Sequence, residues 1–313
     1  MRSYLLIRHM KVHNANAMSS TLTIGVPAVT AWMGAVHALE RKIRQQETWN
    51  HIRFPRAGIS FHHCSLQVFK SSIDSVYLIS GTSNPSEPKN KNKNKGKKPD
   101  NIISSDKSEL DLPSFIEEPR IHLDISLLVE VEGLDGDNDE EFPACIRQLL
   151  PSMKMAGGDI LNIGEISLSY ADEDHPREEK KILASLMPGF VLIERDDLIR
   201  QMIGDGADSL QALLDYLKIT RTARKDENGE IIGWDYSRKG TGWLVPVSVG
   251  FKGISELGNV KNQRDPSIPH QFVENAVTLG EFRMPYRFDH VDDILWHYEY
   301  DSKNSLYLCS NHA

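Results

Sequence analysis

The first 44 residues constrain the fold most, because they change character twice over a short distance. Residues 4–12 are largely apolar and have the length of a β-strand, whereas residues 13–27 are rich in Asn, Ser and Thr and contain no acid. An amphipathic segment follows at residues 28–44. This order predicts a polar loop between a strand and a helix. Such a loop suits hydrogen bonds to phosphates, riboses and base edges better than it suits bond cleavage.

The segment at residues 28–44 has the periodicity of a helix that packs on a sheet. Its apolar face carries Trp32, Val36, Leu39 and Ile43, and the opposite face carries Thr30, Gly34, His37 and Arg41. A face with a bare glycine and two potentially cationic side chains could approach a partner's backbone closely. The alternative is that His37 and Arg41 are only the solvated side of a core helix.

Further segments set the fold class. Residues 61–69 and 75–79 predict the two arms of a strand pair, and residues 120–131 give the clearest strand signal. The pattern also predicts helices at 144–158 (interrupted near Pro151), 197–202, 209–217 and 292–298, and strands at 186–194 and 242–251. The order of these elements indicates an α+β protein with the split βαβ pattern of ferredoxin-like and RNA-recognition folds.

Residues 81–119 differ from the rest of the chain in composition. They are rich in Ser, Pro, Asn and Lys and poor in apolar residues, so they predict a long mobile insertion. The expected organisation is therefore a first part of the core at 1–80, the insertion at 81–119, and the remainder of the core with a C-terminal extension at 120–313.

Composition excludes several classes of protein. The chain has 313 residues and no apolar run of the roughly 20 residues that a membrane-spanning helix needs. Its three cysteines are too few and too widely spaced for a disulfide framework or a zinc motif. The apolar triplet at residues 5–7 is too short for the core of a signal peptide, which favours a cytoplasmic location.

Charge is segregated along the sequence. The net charge is −8, and residues 89–98 carry six lysines whose removal would leave −14. Acidic clusters lie at residues 135–141 and 172–174. One surface could thus meet a polyanion while the acidic remainder favours work inside an assembly. The lysine run could attract nucleic acid electrostatically or be a solvated loop.

Several short blocks, in their order and spacing, resemble one known family. The blocks are Asn14-Ala-Asn-Ala with Ser19-Ser20, Val36-His-Ala-Leu-Glu-Arg41, Ala156-Gly-Gly-Asp-Ile-Leu161, Met187-Pro-Gly-Phe190, Gly242-Trp-Leu-Val-Pro246, Asn262-Gln-Arg-Asp265 and Phe272-Val-Glu-Asn275. Together they resemble the Cas-five-type subunit of type I-F CRISPR surveillance complexes, the second subunit of the Csy family. The lysine-rich insertion and its flanks have no counterpart in this pattern.

The resemblance implies a ferredoxin-like core of the RAMP type with a thumb-like inserted loop. It implies binding to the 5′ handle of the CRISPR RNA and a heterodimer with the large subunit of the complex. Backbone subunits would complete the particle, and target DNA would be read by guide pairing. No cofactor and no membrane are expected.

The candidate RNA-binding residues lie in the first loop, on the first helix and in a late loop. They are Lys11, Asn14, Asn16, Ser19, Ser20, His37, Arg41, Lys261, Asn262 and Arg264. Amides and hydroxyls can bind base edges, riboses and phosphates, and guanidinium groups bind phosphates. The alternatives are that the Asn and Ser residues cap a turn, and that Arg264 pairs with Asp265.

Two other functions remain open at this point. An RNA-processing endonuclease of the same fold would need a general base, for which His9, His13 and His37 are candidates, with Lys11 or Arg41 as the cation. The chain has twelve histidines, so the position of three of them near one loop is weak support for catalysis. We expect no catalytic residue. The third possibility is a purely structural bridge between proteins. We expect no metal site, because His62-His63-Cys64 has no second ligand pair at a workable spacing.

Overall fold

A computed structural model describes residues 2–70, 77–79, 81–83, 115–134, 140–172 and 176–312. The chain divides into two compact units. One combines Met1–Leu66 with Arg120–Ala313, and the other is Gln67–Pro119.

The described residues form five α-helices and seventeen strands. The helices are α1 (Val29–Ile43), α2 (Phe142–Leu149), α3 (Pro176–Ser185), α4 (Asp196–Gly204) and α5 (Ser209–Leu217). The first nine strands are β1 (Arg2–Asn16), β2 (Ala57–Leu66), β3 (Val68–Lys70), β4 (Tyr77–Ile79), β5 (Gly81–Ser83), β6 (Phe115–Glu117), β7 (Arg120–Val131), β8 (Lys154–Met155) and β9 (Gly158–Asn162). The others are β10 (Ile166–Ala171), β11 (Phe190–Glu194), β12 (Thr220–Lys225), β13 (Ile231–Ser237), β14 (Trp243–Gly253), β15 (Val273–Arg283), β16 (His297–Asp301) and β17 (Leu306–Ser310). Within the same ranges, none of the helices is long and apolar enough to cross a membrane.

The described residues of the smaller unit include two short antiparallel pairs, β3 with β4 and β5 with β6. The predicted pairing of residues near 69 with residues near 77 is confirmed, but residues 61–66 belong to the main sheet instead. Within the expected insertion at 81–119, β5 pairs with β6. Its central part, including the lysine run, lies outside the described residues.

The larger unit is built on one eleven-stranded sheet. Its order is β16-β17-β14-β15-β11-β2-β7-β1-β9-β8, with β10 also paired to β1. Strands β1 and β2 both run antiparallel to β7, which lies between them. The α+β class predicted from the sequence is confirmed.

Alternation along β7 gives the sheet two different faces. Its odd-numbered residues from Ile121 to Val131 are all buried, and they belong to the main core. The even-numbered positions 120, 122 and 124 are only partly buried and carry Arg120, His122 and Asp124. One face can therefore hold a hydrophobic core while part of the other displays polar groups.

Helix α1 fits this core as its periodicity predicted. Trp32, Val36, Leu39 and Ile43 are each at most 3% exposed. Trp32 meets the fully buried Trp296 edge to face, with ring centroids 6.3 Å apart. Helix α1 contacts α2, β8, β14 and β17, so strands from distant parts of the sheet surround it.

An ion-pair network ties the C-terminal region to the first strand. Asp292 accepts hydrogen bonds from Arg2 at 2.8 Å and lies 2.8 Å from the Arg56 guanidinium. Arg56 also binds the buried Glu130 carboxylate at 2.6 Å and 3.0 Å. These contacts fix the short helix Val291–Ile294 above a second core cluster on the other face of the sheet.

Two predicted helices differ from the structure. The helix expected at 144–158 is confirmed only up to the interruption near Pro151, where α2 ends at Leu149 and a 3-10 turn follows at Leu150–Ser152. Its second part was wrong, because Ala156 and Gly157 form a turn between β8 and β9 with φ of +47° and +78°. The helix expected at 292–298 gives way to extended chain, because the Trp296 backbone pairs with that of Ala57.

Replacing Gly158 should destabilise the fold. A Cβ there would lie 2.6 Å from the His13 carbonyl oxygen and 2.7 Å from the Ala15 nitrogen, which cannot move without breaking β1. Gly158→Ala is expected to lower the free energy of unfolding by about 1–3 kcal/mol in urea titrations. Gly204→Ala, whose added Cβ meets nothing within 4 Å, is the control. Equal stability of the two variants would contradict this account of the β1–β9 contact.

Candidate nucleic-acid interface

An open pocket of about 390 Å³ lies between the end of β1, the first half of α1 and the β8–β9 turn. Its lining residues are mostly small: Asn16, Met18, Ser19, Pro27, Ala28, Ala31, Gly34, Ala35, Ala38, Lys154, Ala156 and Gly157. Three of the sequence blocks that are distant in the chain therefore meet here. Small side chains leave backbone accessible, which suits an extended ligand that contacts main chain.

The loop after β1 is held by its own polar side chains. Asn16 accepts a hydrogen bond from the Met18 N–H at 3.0 Å and donates to the Met18 carbonyl at 3.1 Å. The Ser19 and Ser20 hydroxyls lie 2.8 Å and 2.6 Å from Thr23 Oγ1. Ser20 is only 5% exposed, so its hydroxyl stabilises the loop, whereas Asn16 and Ser19 also face the pocket.

Lys11 and Asn14 are exposed on β1 but do not line the pocket. Asn14 has φ of +55° at a β-bulge, and its backbone N–H donates to His122 Nδ1 at 3.1 Å. The ring of His122 stacks on that of His13 with centroids 3.9 Å apart. The backbone of Asn14 therefore contacts His122 on the polar face of the sheet.

His37 and Arg41 are exposed on α1 but do not line the pocket. Gly34, Ala38 and Arg41 follow the i, i+4, i+7 spacing of one helix stripe, so Arg41 extends the line of pocket residues. The cation that lines the pocket is Lys154, which forms an ion pair with Asp159. Sequence reasoning missed Lys154; its position two residues before the Ala156 block was the available signal.

Lys261, Asn262 and Arg264 are exposed in the connection between β14 and β15. Strand β14 is five places from β1 in the sheet order, and these three residues do not line the pocket described above. Asp265 accepts hydrogen bonds from the backbone and hydroxyl of Ser267 at 2.9 Å and 2.7 Å. In the described ranges it is Ser267, rather than Arg264, that binds this carboxylate.

The β12–β13 hairpin presents an aromatic and cationic face that sequence reasoning also missed. Arg221 lies opposite Tyr236 and Ala223 opposite Trp234 in the register. Trp234 is 50% and Tyr236 64% exposed, and the Arg221 guanidinium lies 5.3 Å from the Tyr236 ring centroid. The Asn-Gly dipeptide at 228–229, between alternating segments, was the signal for this hairpin.

A second pocket, of about 810 Å³, is lined by charged residues of β11, β15 and the C-terminal region. Arg195 binds Asp197 at 2.9 Å and also pairs with Glu281. Burial and the nearby Asp196 carboxylate raise the pKa of Glu194 to about 7, against the opposing effects of His312 and the Ser310 hydroxyl. The mutual pairing of these charges points to a structural role.

His9, His62 and Asp124 come together on the polar face of the sheet. Their possible ligand atoms all lie within 4.8 Å of one another. The linear spacing that predicted no metal site could not show this arrangement, since the three residues come from three strands.

Comparison with known proteins identifies the class to which this chain belongs. The family described as CRISPR-associated protein (Cas_Csy2) matches residues 5–309. The CRISPR-associated protein Csy2 of Pseudomonas aeruginosa (strain UCBPP-PA14) is 30% identical over 332 aligned positions, which cover 98% of this chain and 94% of the relative. The chain therefore belongs to the Csy2 family, a type I-F family, as the sequence blocks predicted.

Glu194 should make stability depend on pH. Because its pKa is raised in the folded protein, protonation favours folding, and stability should fall as pH rises from about 4.5 to about 7. Glu194→Gln should remove this fall, which amounts to at most about 1 kcal/mol per pH unit. Urea unfolding at pH 5, 6, 7 and 8 measures it, with the exposed Glu299→Gln as control. Parallel curves for the wild type and Glu194→Gln would contradict the assignment.

Proposed function

We propose that this protein is a non-catalytic RNA-binding subunit of a type I-F CRISPR surveillance ribonucleoprotein, in which it holds the 5′ handle of the CRISPR RNA. The observation that carries the proposal is the convergence of three family-matching blocks on one open pocket. The blocks are those beginning at Asn14, Val36 and Ala156, and they contribute Asn16, Ser19, Ala38 and Gly157.

The pocket offers groups that suit the phosphates and riboses of single-stranded RNA. Lys154 supplies a positive charge for a phosphate, and Asn16 and Ser19 supply amide and hydroxyl groups. The floor of small residues around Gly34 lets the RNA backbone lie close to α1. Under this proposal the exposed His37 and Arg41 of α1 contact the RNA strand outside the pocket. Ser20 contributes indirectly, by fixing the shape of the loop.

Other RNA contacts follow from exposed residues outside the pocket. Lys11 and Asn14 extend the proposed path along β1. Trp234 and Tyr236 offer rings for base stacking, worth about 1–3 kcal/mol per base. Lys261, Asn262 and Arg264 would form a separate contact, because they are carried by a distant strand connection.

The proposed core is a ferredoxin-like, RAMP-type RNA-recognition fold. Support comes from two interleaved β-α-β units, β1-α1-β2 and β7-α2-β9. Strand β7 lies between the strands of the first unit, and β1 lies between those of the second. Each unit thus has the split arrangement of this fold class.

We also propose that the protein works in an assembly with the large subunit and the backbone subunits, and meets target DNA only there. The β14–β15 connection supports protein contacts, because it exposes the large apolar side chains of Ile254, Leu257, Ile268 and Phe272. Exposed apolar patches of this kind mark interaction surfaces.

Assembly on RNA with and without the handle tests the function. The full chain, co-expressed with the neighbouring subunits, should bind repeat-spacer RNA at least tenfold more tightly than RNA with a scrambled handle. Equal affinity for both RNAs would favour the structural bridge. Specific cleavage of repeat RNA that disappears in His13→Ala or His37→Ala would instead establish the endonuclease.

Filling the pocket should weaken RNA binding without unfolding the protein. A Cβ on Gly34 meets nothing within 4 Å, so Gly34→Leu places a good helix-forming side chain in the open pocket. We expect unchanged or higher stability and at least tenfold weaker handle binding by fluorescence anisotropy. Gly204→Leu, on α4 and away from the pocket, is the matched control. Wild-type affinity in Gly34→Leu would exclude this pocket as the RNA site.

A further inference from the structure

Two β-bulges place histidines over the same part of β7. His9 lies in the register shift between Ile7 and Met10 of β1, where its φ is +48°. His62 lies in the shift between Phe61 and His63 of β2. Bulges re-aim side chains and are frequent beside functional sites. Since β1 and β2 flank β7, the two imidazoles meet above it, with ring centroids 4.2 Å apart.

Asp124 on β7 completes a three-residue cluster. Its Oδ1 atom lies 3.1 Å from His9 Nδ1. Two ligands about 2.0–2.1 Å from one tetrahedral zinc ion are roughly 3.3 Å apart, so this spacing needs little change to accept an ion. The Asp124 side chain is 24% and the His9 side chain 40% exposed, which leaves the cluster open to solvent.

The tautomer of His62 is set by a hydrogen bond from its Nδ1 atom to the backbone. His62 Nδ1 donates to the carbonyl oxygen of Pro188, so Nε2 keeps its lone pair. Histidine ligands of metals usually donate their other N–H to such an acceptor, which sets the tautomer.

Ser126 competes for the same lone pair. Its hydroxyl lies 2.6 Å from His62 Nε2 and accepts from the backbone N–H of His9 at 3.1 Å. An ion bound to Nε2 would therefore require the Ser126 hydroxyl to turn away. This competition distinguishes a site at the cluster from nonspecific binding to surface histidines.

We propose that His9, His62 and Asp124 form an open site for a divalent transition-metal ion. Two imidazoles and one carboxylate suit Zn²⁺, Co²⁺ or Ni²⁺ and disfavour Mg²⁺ and Ca²⁺, which prefer oxygen ligands. This proposal does not depend on the proposed RNA function. It contradicts the prediction from the linear sequence that the chain has no metal site.

Titration of the chelator-treated full chain with Co²⁺ tests the site, with visible absorption as the signal and Zn²⁺ as competitor. One equivalent should saturate the protein. His62→Ala and Asp124→Ala should bind at least tenfold more weakly, whereas Ser126→Ala should bind about fivefold more tightly because no hydroxyl has to move. His13→Ala and His122→Ala are controls, since their stacked rings lie on the same face outside the cluster.

A second measurement covers variants that fold poorly. Zn²⁺ should raise the thermal unfolding midpoint of the wild type and of His13→Ala, but not that of Asp124→Asn. The proposal is overturned if no saturable binding occurs, or if binding survives unchanged in His62→Ala. It is also overturned if the His13 and His122 variants lose binding as strongly as the cluster variants, which would show surface binding only.

Discussion

The pairing of β1 with β7 is the constraint on which the rest of the structure depends. Both strands are central, and together they carry the apolar residues that bury α1. Because side chains alternate along a strand, this pairing also fixes which polar groups reach the other face. A slip of one residue would expose Ile125 and bury Asp124, so the core and the polar face share a single register.

How well the sequence predicted each element depended on how regular the spacing of its apolar residues was. Helix α1 and strand β7 were predicted nearly to their ends, because their apolar spacing reflects one buried face. The interruption near Pro151 was predicted, but residues 154–158 were misread as helix, since they form β8 and the Ala156–Gly157 turn. Trp296 was misread because tertiary pairing with Ala57 decides its conformation.

The candidate sites likewise contain some residues that the sequence indicated and others that it did not. Asn16 and Ser19 could be selected as polar residues beside a helix, and they do line the pocket. Lys154 and the cluster of His9, His62 and Asp124 could not be derived in this way. Their positions depend on strand neighbours that are distant in sequence, and on bulges that interrupt the alternation a sequence shows. Much of the loop's polarity also serves its own shape, since Ser20 binds Thr23 rather than facing solvent.

The surroundings of α1 have a consequence for the order of folding. The helix is complete by Ile43, but two of the strands it touches, β14 and β17, lie more than 190 residues later. The Arg2–Asp292 contact spans 290 residues. During synthesis the apolar face of α1 therefore waits for most of the chain before its final partners emerge. Such non-local closure slows folding and leaves the early chain open to misassociation until the C-terminal strands emerge.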